Sequence, residues 1–244
     1  MSLIESCLIP DWPAPANVRS LQTTRVGGVS LAPYGTLNLG SHVGDIPLSV
    51  AHNRMLFNPL LPSEPVWLEQ MHGTQVVHAE EAGCHPQADA CITQRCSAVC
   101  AVMTADCLPV LLCDQRGTVV AAVHAGWKGL LAGVIEATVQ KMPVATDELM
   151  AWLGPAISQP AFEVGAEVRS AFTALQPHAD SAFIAGQNGR WQADLYALAR
   201  MRLNALGIQQ VFGGDCCTFN ESGRFFSYRR DGITGRMATL IWLE

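Results

Sequence analysis

The sequence is poor in charged residues, which fill 15% of its 244 positions, compared with about 25% in an average soluble domain. With few charges to solvate the surface, the composition predicts one compact core and is compatible with an interface between copies of the chain. Acidic residues outnumber basic ones, 21 to 15, and the formal net charge is −6. Because this balance does not attract a polyanion, it speaks against nucleic acid as a partner.

Other signals are also missing. No apolar run approaches the ~20 residues of a membrane span, and the N-terminal MSLIESCLIPDWPAPAN has neither the basic start nor the long apolar segment of a signal peptide. The 9 cysteines are odd in number and include no CxxC pair, which favours free thiols. No GxGxxG or Walker A sequence indicates a nucleotide cofactor. We therefore predict a cytoplasmic protein without a membrane partner.

What the sequence has in abundance is apolar residues, at 49% of the chain, enough for a sizeable core. Helix-like and strand-like segments alternate irregularly, and no repeat or linker marks a boundary. We predict a single mixed α/β domain over residues 1–244, with an extended N-terminal segment at 1–17. Periodicity and turn residues predict a helix at 128–142 that ends at Pro143, and strands at 149–153, 225–228 and 237–243.

The most informative stretch is VCAVMTADCLPVLLCDQRGTVVAAVHAGW, residues 99–127. A polar turn at 114–117 separates two apolar runs, which we predict to be two core strands, and brings Cys107 and His124 together. Cys107 follows the first half of the stretch and His124 its second, and His72 lies upstream in WLEQMHG. Thiolate and imidazole are zinc ligands, and three protein ligands from separate elements leave a fourth position open, as in catalytic zinc sites. We predict this site, with Asp106 orienting a ligand or a water molecule.

The same residues permit other interpretations. Cys107 and His124 would also serve as a metal-free nucleophile and base. Two histidines and a cysteine are also the ligand set of blue copper, although no Met follows closely here. Each ligand could instead be an ordinary packing residue. The C-terminal arginines are candidates for holding a phosphate group or are solvated charges: Arg224, Arg229, Arg230 and Arg236.

Seven segments together resemble the YfiH family, whose members are also called laccase-domain proteins, multicopper polyphenol oxidase proteins or peptidoglycan editing factors. They are RVGGVS, LNLGSHVGD, WLEQMHG, MTADCLPVLLCD, AAVHAGWKGL, WLGPAI and FFSYRRDGITGRMA. The resemblance implies an α/β domain with layered mixed β-sheets and flanking helices, similar to the catalytic domain of cytotoxic necrotising factor toxins. It also implies zinc at His72, Cys107 and His124, which would form the catalytic centre.

The resemblance further implies an enzyme acting on purine nucleosides. The reactions are phosphorolysis of adenosine, inosine, guanosine and methylthioadenosine, with inorganic phosphate as co-substrate, and deamination of adenosine. Two alternatives come with the family: a copper-dependent polyphenol oxidase, and a cytoplasmic hydrolase that edits UDP-linked peptidoglycan precursors. A third alternative is a zinc-stabilised binding protein without catalysis.

Five residues outside the ligand set are predicted to support these reactions. Asp106 or Glu163 would move the proton in deamination. Arg25, and after it Arg54, would hold the phosphate. Asn38 would bind a ribose hydroxyl. For each of them, loop structure is the competing explanation.

Overall fold

The computed structural model describes residues 4–244. Within them the helices are α1 (Pro47–Met55), α2 (Trp127–Ala132), α3 (Val134–Lys141), α4 (Ala166–Leu175), α5 (Leu195–Ala205) and α6 (Tyr228–Asp231). The strands are β1 (Val18–Gln22), β2 (Val76–His78), β3 (Ala90–Thr93), β4 (Val99–Thr104), β5 (Leu108–Asp114), β6 (Val120–Ala125), β7 (Leu149–Leu153), β8 (Glu163–Val164), β9 (Phe183–Ala185), β10 (Trp191–Ala193), β11 (Gln210–Gly213) and β12 (Met237–Leu243).

A six-stranded mixed sheet in the order β11-β7-β5-β6-β3-β2 forms the centre of the domain. Its middle is the β5–β6 hairpin, in which every residue of both strands is buried. Because side chains alternate along a strand, Val110 and Leu112 point to one face while Leu111 and Cys113 point to the other. Both faces of this sheet are therefore covered, which explains why the two strands are apolar except for Asp114 and His124 near their ends.

One face packs against a second sheet and the other against helices. The second sheet has the order β1-β12-β4, and Cys100 and Ile241 from it meet Leu111 and Val120 of the central sheet. On the opposite face, α2 to α5 contribute apolar side chains to the larger core, and a small sheet, β8-β10-β9, lies at the edge of this layer. The structure is thus a single mixed α/β domain with layered sheets and flanking helices, as predicted.

The chain passes from one sheet to the other between β4 and β5, and only residues 105–107 make this connection. Cys107 is its last residue. The hairpin register then places Leu108 opposite Ala125, and Pro109 opposite His124. The turn at 114–117 therefore brings Cys107 close to His124, as the sequence indicated.

Several local predictions were wrong. The stretch 99–127 contains three strands rather than two, because the first apolar run is divided between the two sheets. The helix predicted at 128–142 is two helices, α2 and α3, because Gly133 adopts a left-handed conformation with φ of 98°. The strand predicted at 225–228 is absent: Phe225 and Phe226 are buried in a small cluster, and Ser227 caps α6 by accepting a hydrogen bond from the backbone N–H of Arg230.

The predicted extended segment at 1–17 begins, within the described residues, with a 3-10 turn at Ile4–Ser6; residues 1–3 lie outside them. The backbone of Leu8 then bridges to Gln22 of β1. Across residues 4–244, no helix is both long and apolar enough to cross a bilayer.

Candidate metal centre and its two cavities

His72, Cys107 and His124 meet at one edge of the central sheet, and their donor atoms all lie within 4.8 Å of one another. His124 is near the end of β6, Cys107 directly precedes β5, and His72 lies on the loop before β2. Because β6 runs antiparallel to both β5 and β3, and β2 is parallel to β3, the end of β6 and the starts of the other strands share this edge. Sheet topology therefore assembles the cluster from positions that are far apart in the sequence.

Asp89, directly before β3, holds the loop that carries His72. Its carboxylate accepts hydrogen bonds from the backbone N–H groups of Met71, His72 and Gly73, at 3.2, 2.9 and 2.7 Å. His72 itself has a φ of 59°, a left-handed conformation that is uncommon outside glycine. Three N–H donors directed at one carboxylate keep the loop in this conformation and fix the backbone of a ligand.

The same carboxylate orients His124. Nδ1 of His124 lies 2.8 Å from Oδ1 of Asp89, and the two side chains are 3% and 1% exposed. The hydrogen bond engages Nδ1 and leaves Nε2 as the nitrogen available to a metal. Carboxylate–histidine pairs of this kind fix the ring and increase its basicity as a ligand. Asp89 thus supports two of the three candidate ligands.

The cluster favours the thiolate form of Cys107. Burial alone would raise the pKa of this thiol, but the charge of His124 and hydrogen bonds to His124 and His72 lower the pKa to about 6. Burial likewise acts against a charged His124, but the Cys107 thiolate and Asp89 raise the pKa of that imidazole to about 9. A thiolate at neutral pH is the form in which cysteine binds metals.

Gly126, between β6 and α2, makes room for the cluster. A Cβ at this position would lie 2.9 Å from Cδ2 of His72 and 3.0 Å from Sγ of Cys107. The backbone has φ of −61° and ψ of 156°, which any residue adopts. Glycine is therefore required here by the close approach of two candidate ligands, not by backbone conformation.

The donor set and its spacing fit a zinc-type ion. Zn–S and Zn–N bonds of about 2.3 and 2.05 Å in a tetrahedral arrangement place the two ligand atoms about 3.6 Å apart. Sγ of Cys107 lies 3.7 Å from Nε2 of His72. The rings of His72 and His124 are near-perpendicular, with centroids 4.7 Å apart. The three residues are therefore candidate ligands for one such ion.

Two cavities flank the cluster and share part of their walls, namely His72, Ala105, Cys107 and Tyr228. One has a volume of about 340 Å³, and we call it the cationic cavity; its other walls are His42, Gln70, Met103, Thr104, His124 and Arg236. The second, of about 350 Å³, is here called the aromatic cavity; its other walls are Met71, Asp106, Trp127, Lys128, Ile157, Phe162 and Arg229. The candidate metal ligands thus lie between two spaces of similar size.

Asp106 adjoins Cys107 in the sequence, but its carboxylate has other partners. It accepts hydrogen bonds from the Thr218 hydroxyl at 2.6 Å and from the backbone N–H of Arg229 at 2.7 Å. Its backbone is left-handed, with φ of 94°. Both carboxylate oxygens therefore bind the C-terminal part of the chain, and the proton-transfer role stays a prediction.

Four other predicted residues lie outside the walls of both cavities, namely Arg25, Arg54, Asn38 and Glu163. The Arg25 side chain donates to the carbonyl oxygens of Gly35 and Ser222, and that of Arg54 donates to the Leu39 carbonyl and stacks on Trp67. The Asn38 amide is fully buried and hydrogen-bonded.

Glu163 is exposed, and its backbone carbonyl accepts a hydrogen bond from Arg229. The contacts of these four residues are structural ones, and their functional roles remain predictions.

The sequence did not single out Asp89, His42, Trp127 or Tyr228. For Asp89 a signal existed, since a lone aspartate directly precedes an apolar strand in a segment close to a candidate ligand. His42 and Tyr228 lie in irregular segments, and only the fold brings them to the ligands. Arg236 was one of four candidate arginines, and it is one of two that line a cavity, the other being Arg229.

The fold and the site together define a single-domain mixed α/β protein with a two-histidine, one-cysteine metal-type centre. Comparison with known proteins adds the family. A family model described as "Multi-copper polyphenol oxidoreductase laccase" matches residues 19–244. The chain therefore belongs to this laccase-domain family, the one that its motifs resemble.

Close relatives cover nearly the whole chain. A Pseudomonas aeruginosa protein named purine nucleoside phosphorylase is 54% identical over 238 residues, which are 97% of this chain and 98% of the relative. The purine nucleoside phosphorylase YfiH of Escherichia coli is 53% identical over 240 residues, with 97% and 98% covered.

The crystal structure of a Neisseria meningitidis protein of the DUF152 family superimposes with a TM-score of 0.95 at 54% identity, covering 98% of this chain and 99% of that one. YlmD of Geobacillus stearothermophilus gives 0.89 at 28% identity, with 95% and 94% covered.

Proposed function

We propose that the chain is a zinc-dependent purine nucleoside enzyme. It splits adenosine, inosine, guanosine and methylthioadenosine with inorganic phosphate, and it deaminates adenosine. The observation that carries the proposal is the convergence of His72, Cys107 and His124 between two cavities. The full-length relatives named purine nucleoside phosphorylase support the substrate class.

The donor set favours zinc over a copper oxidase centre. Multicopper oxidation requires several metal sites, whereas residues 4–244 contain a single group of three or more histidine, cysteine or acidic side chains placed to bind an ion. The thiolate and two imidazoles leave an open coordination position, as in catalytic zinc sites. When bound, the metal supplies a Lewis acid and lowers the pKa of a coordinated water.

The chain's own residues position the substrate and the ligands. Asp89 holds both His72 and His124 in place. Trp127 and Phe162 give one cavity two aromatic walls, against which a flat purine can stack. Asp106 anchors Thr218 and the start of α6, and thereby positions Tyr228 at the boundary of the two cavities.

The test is a paired metal and product assay on the purified protein. We expect about one zinc per chain and little copper by mass spectrometry. With adenosine and phosphate, chromatography should detect adenine and ribose 1-phosphate; without phosphate, it should detect inosine. Absence of adenine, inosine and hypoxanthine at any zinc loading would refute the proposal. Stoichiometric copper with oxidation of a phenol would favour the oxidase instead.

A matched pair of cysteine variants makes the assay specific to the site. Cys107→Ala removes one candidate ligand and should abolish both zinc binding and product formation. Cys84→Ala removes an exposed thiol outside the cluster and should leave zinc content and rate unchanged. Full activity in a zinc-free Cys107→Ala protein would show that the three-residue site is not the catalytic centre.

A further inference from the structure

The two cavities beside the candidate ligands differ in chemistry. Among residues 4–244, no aspartate or glutamate lines the cationic cavity, whereas it contains His42 and Arg236. The aromatic cavity is lined by Trp127 and Phe162, and Tyr228 belongs to both. An anion and a planar heterocycle are therefore favoured in different spaces on the two sides of Cys107.

Arg236 presents unused hydrogen-bond donors. Its Nη1 donates to the backbone carbonyls of Thr234 and Gly235, at 3.1 and 3.0 Å. Its Nε and Nη2 have no hydrogen-bond partner within residues 4–244, and no carboxylate in that part of the chain forms an ion pair with it. The aliphatic stem packs on Gly40, where a Cβ would lie 2.8 Å from Cγ of Arg236. The side chain is thus held by its stem and one nitrogen, while the rest of the guanidinium remains available.

Two neighbours in the same cavity point to the same kind of ligand. The hydroxyl of Thr104 is buried and has no hydrogen-bond partner in the described chain, although Thr104 is a cavity wall. Burial and the positive charges of Arg236 and Arg54 lower the pKa of His42. The lowered pKa favours a neutral His42, so the charge comes from the Arg236 guanidinium. A guanidinium with free donors and no carboxylate beside it, next to an imidazole and an unpaired hydroxyl, is suited to a phosphate dianion.

We propose that the cationic cavity, with His42, Thr104 and Arg236, binds the inorganic phosphate that attacks a nucleoside whose base lies in the aromatic cavity. This inference rests on the proposed phosphorolysis and assigns a place to its co-substrate. It replaces Arg25, which the sequence favoured for this role, by Arg236, because Arg25 is bound to backbone carbonyls elsewhere.

The reaction balances with these two ligands alone. An oxygen of HPO₄²⁻ forms a bond to C1′ of the ribose while the C1′–N9 bond breaks and its electron pair leaves with the purine. The proton of the phosphate passes to the purine, and the products are the free base and ribose 1-phosphate. Arg236 balances the charge of the phosphate in the cationic cavity, while the walls of the aromatic cavity hold the leaving base.

The experiment measures the phosphate dependence of adenosine phosphorolysis in zinc-loaded Arg236→Met, Arg236→Lys and Arg229→Met proteins. Methionine retains the stem on Gly40 and removes the guanidinium. We expect Arg236→Met to raise the KM for phosphate about 10- to 100-fold, the effect of losing a charge-assisted contact, with the KM for adenosine changed less than threefold. Arg236→Lys should recover part of the loss. Arg229→Met, on the aromatic side, should leave the KM for phosphate within twofold.

Deamination of adenosine provides the internal control, because it consumes no phosphate. Arg236→Met should retain this activity within about threefold, which also reports on folding and zinc content. If Arg236→Met does not fold, His42→Gln on the exposed loop takes its place, with an expected three- to tenfold rise in the KM for phosphate. An unchanged KM for phosphate in the folded variant would overturn the phosphate assignment and leave the proposed function intact. Absence of phosphorolysis in the unmodified protein would instead overturn both.

Discussion

Asp89 and Asp106 are both buried aspartates beside the candidate ligands, but their carboxylates bind different parts of the chain. Asp106 directly precedes Cys107, yet its oxygens accept hydrogen bonds from Thr218 and Arg229. Asp89 is remote in sequence from Cys107 and His124, yet it binds the His124 ring and the backbone of His72. Adjacency in sequence therefore does not identify the residue that orients a ligand, because the backbone can direct neighbouring side chains to opposite sides.

The comparison predicts that Asp89 controls metal affinity. In Asp89→Asn, one carboxylate oxygen becomes an NH₂ group, so that either His124 and the His72 N–H, or the N–H groups of Met71 and Gly73, lose their acceptor. Mutation of the hydrogen-bond partner of a metal-binding histidine typically lowers metal affinity by about 10- to 100-fold, and we expect a loss of zinc affinity in that range. Competition with a chromogenic chelator measures the zinc affinity. The matched variant is Asp106→Asn, which should stay within threefold of the unmodified protein; equal losses in both variants would end the distinction between the two aspartates.

Gly126→Ala tests the ligand side of the comparison without altering any charge. The added methyl carbon would lie 2.9 Å from Cδ2 of His72 and 3.0 Å from Sγ of Cys107, which is closer than van der Waals contact. The backbone conformation of residue 126 is one that alanine adopts readily. We expect zinc affinity to fall about tenfold, because off-rotamer or shifted ligands no longer share one ion. The control is Gly83→Ala, where a Cβ meets nothing within 4 Å. Unchanged zinc affinity in folded Gly126→Ala would show that the ligands have more freedom than their contacts indicate.

The sequence was sufficient to predict the three clustered residues and the fold class, for separate reasons. The candidate ligands follow from their residue types and from the family motifs, and the mixed α/β domain follows from the alternation of helix-like and strand-like segments. The layered sheets were implied by the resemblance to the family. The strand boundaries within 99–127 were not predictable from hydropathy, because β4 and β5 are both fully buried and only a three-residue connection separates them.

Roles that depend on the direction of a side chain were beyond the sequence. The fold decides which arginine lines a cavity: the Arg25 and Arg54 side chains donate to backbone carbonyls outside both cavities, whereas Arg236 is a wall of the cationic cavity. Asp89 likewise becomes recognisable only when β3 pairs with β6 and places it opposite His124. Local pattern therefore identified candidate chemistry, and tertiary pairing selected among the candidates.

Asp106→Asn tests the other half of the comparison, the anchoring of the C-terminal segment. The amide retains one acceptor oxygen and loses the other, so that either Thr218 or Arg229 N–H is left without its partner. We expect the free energy of unfolding to fall by about 1–3 kcal/mol, the range for an unsatisfied buried group. Urea denaturation of the zinc-free protein measures it, so that metal affinity does not contribute. A loss below 0.5 kcal/mol, on the same scale, would mean that solvent replaces the missing partner.

Thr218→Val sharpens the same point with the smallest change. Thr218 is fully buried, and its hydroxyl donates to Oδ1 of Asp106 at 2.6 Å, so valine retains the shape and removes only that donor. Asp106 still accepts the backbone N–H of Arg229, and we therefore expect a loss of about 1 kcal/mol in the free energy of unfolding. In the double variant with Asp106→Asn, the two losses should not add, because the Thr218–Asp106 hydrogen bond can be removed only once. Fully additive losses would show that the Thr218–Asp106 hydrogen bond does not couple the two residues. A fall in zinc affinity in Thr218→Val alone would show that the Asp106 network reaches the ligands.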